Sequence, residues 1–158
     1  VGRSIYFSPI NFFPGYGAIW LPIEMVRREA TEPVARLNAF AGLSWGVTMV
    51  NVLHPEVLGN LLNHLNPEDE IEKKAFINGV SSGLMMRQDT TPNAPFIAEL
   101  YGRAPDGCDP ALWAECVQGP CEEALQGYYP ALKENQHLGD IFQYHVLSEL
   151  VDQVANPS

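Results

Sequence analysis

Apolar residues in "EVLGNLLNHL" (56–65) and "NAPFIAELYG" (93–102) fall on one side of a helix. No pair of alternating apolar and polar runs joined by a hairpin turn appears in the chain. Helices are predicted near residues 21–29, 33–52, 55–65, 67–87, 94–102, 110–118, 121–134 and 139–154. Several carry a clear start signal. "NPEDE" offers Asn66 as the N-cap, Pro67 at the first helical position and acids in the first turn, where the helix dipole favours them. "TEP" at 31–33, "HPE" at 54–56 and "CDP" at 108–110 are similar openings. Residues 1–20 read instead as an extended arm, interrupted by Pro9 and Pro14. The predicted class is all-α, in one domain over residues 1–158. It comprises the arm, two helical hairpins over 33–102 and an acidic helical region over 108–155.

The two hairpins read as copies of one unit. "AGLSWGVTMVNVLHP" (41–55) aligns with "NGVSSGLMMRQDTTP" (78–92), matching Gly42 with Gly79, Ser44 with Ser81, Gly46 with Gly83, Met49 with Met86 and Pro55 with Pro92. A spacing of 37 residues is that of stacked helix–turn–helix repeats, in which each unit buries its apolar face on the next. Both copies contain Gly-x-Ser-x-Gly, the pattern of a nucleophile elbow. A hydrolase needs one such serine on a strained strand-to-helix turn. Here two copies sit inside helical patterns, and "ARLNAF" before the first lacks the β-branched run of a buried strand. Glycines one turn apart instead let a neighbouring helix approach closely. Ser44, about 200° round from Gly42, is expected off that stripe, with its hydroxyl bonded to the Phe40 carbonyl.

The quoted glycine segments, with "VGRSIYF" and "PNAPFIAELYG", resemble the later part of an uncharacterised bacterial family encoded beside enediyne polyketide synthases. The resemblance covers roughly residues 1–102 and departs where that family places a histidine after the loop proline, since Asn93 follows Pro92. It brings no biochemical activity and implies an accessory role in secondary metabolism.

Charge narrows the partners. Residues 1–103 hold eight basic and ten acidic side chains, while residues 104–158 hold Lys133 against nine acids, so −8 of the net −10 lies in the last third. Such a surface repels phosphate backbones, and nucleic acid is not an expected partner. No run of about 20 apolar residues suits a transmembrane segment. A cytoplasmic location is expected, with export left open because the chain starts at Val1 rather than Met.

Candidate chemistry is sparse. The arm carries Phe12, Phe13, Tyr16 and Trp20, which either pack across the helices or form an interface with a partner chain, a second copy included. Trp20, Trp45, Met49, Met85 and Met86 either fill the core or line a pocket for a small apolar ligand. Glu134-x-x-His137 is half of a di-iron signature, and His145 and Glu149 share a face if 139–154 is one helix. The second Glu-x-x-His is missing. Cys108, Cys116 and Cys121 match no zinc spacing; they read as free thiols or, if the chain folds back at "GP" (119–120), as one 116–121 disulfide. The expectation is a non-catalytic helical-repeat accessory protein, without cofactor, that binds a partner chain or an apolar small molecule. The alternative is an enzyme, using Ser44 as a hydrolase nucleophile or Glu134 and His137 in a metal-dependent oxidase.

Overall fold

The computed structural model describes residues 21–66 and 68–156, together with the backbone of Trp20. The arm residues Phe12, Phe13 and Tyr16, and the side chain of Trp20, lie outside that description. Among the described residues every regular element is helical. Helix α1 spans Trp20–Glu29, α2 Pro33–Val50, α3 Pro55–His64, α4 Glu70–Thr90 and α5 Pro95–Gly102. Helix α6 runs from Pro110 to Glu134. A 3₁₀ turn at Leu138–Phe142 then leads to α7, Leu147–Ala155.

The helix starts follow the proline signals, with one correction. α4 is capped by Asp69 rather than Asn66: its carboxylate accepts the N–H groups of Ile71 at 3.0 Å and Glu72 at 3.2 Å. A charged cap satisfies two orphan donors and meets the positive end of the dipole. Asn66 instead accepts from Glu68 N–H in the preceding turn.

A second correction concerns α6, predicted as two helices with a break at "QGP". Gly119 has helical dihedrals (φ −58°, ψ −52°), and the chain continues straight through. Two π-helical turns, Ala114–Gln118 and Ala124–Tyr128, each come just before an X-Pro pair, Gly119-Pro120 and Tyr129-Pro130. Gly119 N–H reaches back five residues to the Ala114 carbonyl, and Tyr129 N–H to that of Ala124. A wider turn makes room for a ring that has no N–H and would otherwise crowd the carbonyl one turn back. Proline is absorbed here, not obeyed as a stop. Because the helix does not fold back, Cys116 and Cys121 stay on one rod, and all three cysteines are free and buried.

The long helices run parallel. Arg36 on α2 pairs with Asp69 and Glu72 at the start of α4, Ser44 and Thr48 face Gly79 and Gly83 in the middle, and Arg87 Nε donates to the Met49 carbonyl at the far end (2.9 Å). α6 follows α4 in the same sense, from Lys73–Glu115 at 2.5 Å to Lys133–Asp89 at 2.8 Å. Parallel neighbours require return segments, which α3 and α5 supply. The main core gathers Ile23, Phe40, Phe76, Leu58 and Trp113. A separate cluster of Met85, Ala124, Leu132, Ile141, Leu147 and Leu150 holds α7 against α4 and α6.

At the α2–α4 crossing the backbone of α4 comes so close that a Cβ on Gly79 would stand 2.3 Å from the Ala41 carbonyl oxygen and 2.7 Å from Ser44 Cβ. At Gly83 the nearest atoms would be 3.1–3.3 Å away, on Thr48 and Trp45. Close approach is real, but the facing row on α2 is Ala41, Ser44 and Thr48. Ser44 therefore lies on the contact stripe and not off it.

Candidate functional site

A groove of about 420 Å³ opens between α4, α6 and the segment leading into α7. Ile77, Asn78 and Ser81 come from α4, and Pro120, Glu123 and Tyr128 from the middle of α6, the stretch that the π turns bracket. The far wall is Tyr144 to Ser148. Asn78 Nδ2 donates to the His145 carbonyl at 2.6 Å, a side-chain bond that pins this wall to α4. Val146 on the wall is 45% exposed, so the groove keeps an apolar side chain open to solvent. Lys74 stands at the rim, 3.7 Å from Glu70.

The groove phenols are held neutral. Burial pushes Tyr128 up to about 12, helped by Glu123 and Asp152, and burial with Glu149 also raises Tyr144. The thiols are equally quiet: burial lifts Cys116 to about 11 and raises Cys108 and Cys121 too. A thiol that stays protonated at neutral pH is a poor nucleophile.

The strongest electrostatic feature is elsewhere. Glu72, 0% exposed, accepts Arg27 Nε at 2.9 Å and Nη2 at 2.8 Å, Arg36 Nη2 at 2.7 Å, and Asn66 N–H at 2.9 Å. Burial alone would raise its carboxyl, but the bonds from Arg27, Asn66 and Arg36 outweigh that, and the net shift is downward. Every lone pair direction is occupied. The cluster locks α1, α2 and α4 together and leaves no open valence for a ligand.

Ser44 sits in the middle of α2, 1% exposed, and its hydroxyl donates to the Phe40 carbonyl at 2.9 Å as expected. A nucleophile elbow holds its serine exposed on a strand-to-helix turn; this serine is packed under Gly79. Ser81, in the second Gly-x-Ser-x-Gly, is also buried but lines the groove. Glu134 ends α6, and His137 Nδ1 lies 2.8 Å from Asp140 Oδ2 in the next turn. His145 precedes α7 whereas Glu149 lies within it, so the shared helix face expected of them does not form. Among the described residues no three His, Cys, Asp or Glu side chains converge as a metal site. Trp45 and Met49 on α2 and Met86 on α4 are half-buried, with the Trp45 ring 6.0 Å from that of Phe142. None of the three lines the groove.

The groove residues were out of reach of sequence reasoning. Asn78 and His145 are 67 positions apart, and Gly119-Pro120 reads as a break in the helix that carries the groove's second wall. No protein-family model, characterised protein or solved structure matches this chain. No helix among the described residues is long and apolar enough to cross a membrane.

Proposed function

We propose that this chain is a non-catalytic helical-repeat protein that binds a small, mainly apolar molecule in the groove between α4, α6 and the segment before α7. The groove carries the reading. Its volume of about 420 Å³ falls within the range of small-molecule sites, and an aromatic and aliphatic lining with a few polar groups is their usual composition. Two features support a repeat as the frame: α2 and α4 are each followed by a shorter return helix, and they lie parallel with Ser44 beside Gly79. An accessory place in secondary metabolism rests on the family resemblance of residues 1–102 alone.

A neutral naphthylamine dye tests the site. Saturable enhancement of its fluorescence, one dye per chain, is expected, and Val146→Trp should abolish it while the melting temperature holds. Non-saturable binding, or equal binding to Val146→Trp, would overturn the proposal.

A further inference from the structure

The groove is apolar in its body but not neutral in its surroundings. Glu123 lines it. Glu149 and Asp152, on α7, lie close enough to act on the phenols of Tyr144 and Tyr128. Among the described residues Lys74 is the one Lys or Arg side chain lining it. That lysine is 65% exposed at the rim and is already drawn to Glu70 at 3.7 Å. An anion would also find the first turn of α7, but that turn carries Glu149. Beyond the site, the last third of the chain, which supplies two of the three walls, holds −8 of the net −10 charge. A low-dielectric cleft within a field of one sign concentrates ions of the other. Two tyrosines and a carboxylate are moreover the side chains that recognise ammonium groups, through ring faces and charge together.

We infer that the groove selects amphipathic organic cations, seating one ammonium group by Glu123, Tyr128 and Tyr144 and laying an alkyl or aryl tail on Ile77, Pro120 and Val146. The inference rests on the groove being a small-molecule site and adds the charge class of the ligand. Buried Ser81 offers a hydroxyl at the floor for a polar substituent on that tail.

Three probes of equal chain length separate the terms: octyltrimethylammonium, octanoate and 1-octanol, each titrated calorimetrically into the full chain at low salt. The cation is expected to bind about tenfold more tightly than octanoate, the size of a partly desolvated cation–π and ion-pair contribution. Raising salt should narrow the gap through screening. Glu123→Gln should weaken the cation about fivefold and leave octanol unchanged. Lys74→Glu should tighten the cation and weaken octanoate, while the charge control Glu68→Gln, on an exposed loop residue, changes neither. If octanol or octanoate binds as tightly as the cation, this inference is overturned and the groove reading survives. Failure of all three probes together with the neutral dye removes both. Displacement of the dye by an oligolysine peptide in preference to the octyl cation would make the partner a basic chain and overturn the inference as well.

Discussion

Two buried polar residues on α4, a paired carboxylate and an unpaired hydroxyl, should respond oppositely to mutation. Glu72 has four donors, whereas the Ser82 hydroxyl is buried without a hydrogen-bond partner. Glu72→Gln leaves Arg27 and Arg36 facing a neutral amide. Removing one member of a buried ion pair costs about 3 kcal/mol, and the partial exposure of the two arginine side chains (31% and 28%) keeps the loss from being larger. Ser82→Ala should instead stabilise by about 1 kcal/mol, from relief of an unmet hydroxyl and better helix propensity. Urea melts of the two variants check both signs. The Glu72 carboxyl also sets a pH dependence. Its folded value is lowered, so the unfolded chain binds the proton more readily, and stability rises with pH across the window between the two values. The contribution is full above the ordinary glutamate value of about 4.3 and disappears as pH falls through the lower folded value. Glu72→Gln should flatten that limb of the stability curve; an unchanged acid limb would show that other carboxylates set it.

Between helices, the close crossing of α2 and α4 makes the two glycines of α4 that face α2, Gly79 and Gly83, unequal. Alanine at either position gains about 1 kcal/mol of helix propensity. At Gly79 the new methyl meets a carbonyl oxygen at 2.3 Å, and only a shift of one backbone relieves it. Overpacking of that sort costs about 1–3 kcal/mol, so Gly79→Ala should be net destabilising. At Gly83 the contacts of 3.1–3.3 Å are largely with the Thr48 side chain, and Gly83→Ala should fall within about 1 kcal/mol of the parent. Ser44→Ala keeps the Cβ that Gly79 packs on and loses one bond within its own helix, so it should also stay within about 1 kcal/mol. Thermal melts that rank Gly83→Ala below Gly79→Ala would contradict this geometry. The same pair of helices shows what a sequence can disclose. The helix starts at Pro33, Pro55, Pro95 and Pro110, and the glycine spacing, are local signals and were legible. The side of α2 that meets α4 was not. Gly42 and Gly46 drew attention to one stripe, while the contact is made by Ala41, Ser44 and Thr48, which pack as well as glycine would and carry no conspicuous signature. Pro120 misled for a related reason, whereas the predicted helix over 121–134 already runs through Pro130: whether a proline ends a helix or widens a turn depends on what the helix packs against.

Across the whole molecule, apolar burial and charge are divided in the same place. The main core draws on α1 to α5 and the first half of α6, whereas α7 and the end of α6 depend on the smaller cluster around Met85, Leu132 and Leu150. Around that smaller cluster the acids are also denser: residues 122–158 hold six acidic side chains against Lys133 as their one Lys or Arg, with Glu149 and Asp152 on the exposed side of α7. Regions with fewer buried apolar contacts open at lower free energy than the global transition, and like charges repel until salt screens them, with a Debye length of about 30 Å at 0.01 M falling to about 8 Å at 0.15 M. Hydrogen exchange should therefore be faster at the amides of α7 than at those of α2 and α4. Adding salt should slow α7 selectively while leaving the slowest amides of α4 nearly unchanged. Leu150→Ala should widen the difference, since truncating a buried leucine costs about 2–5 kcal/mol and this one belongs to the weaker cluster. Because α7 and the turn before it form one wall of the groove, a saturating octyl cation should protect the same amides. Uniform exchange across α2, α4 and α7, indifferent to salt, would mean that the two clusters unfold as one and that the groove wall is as rigid as the core.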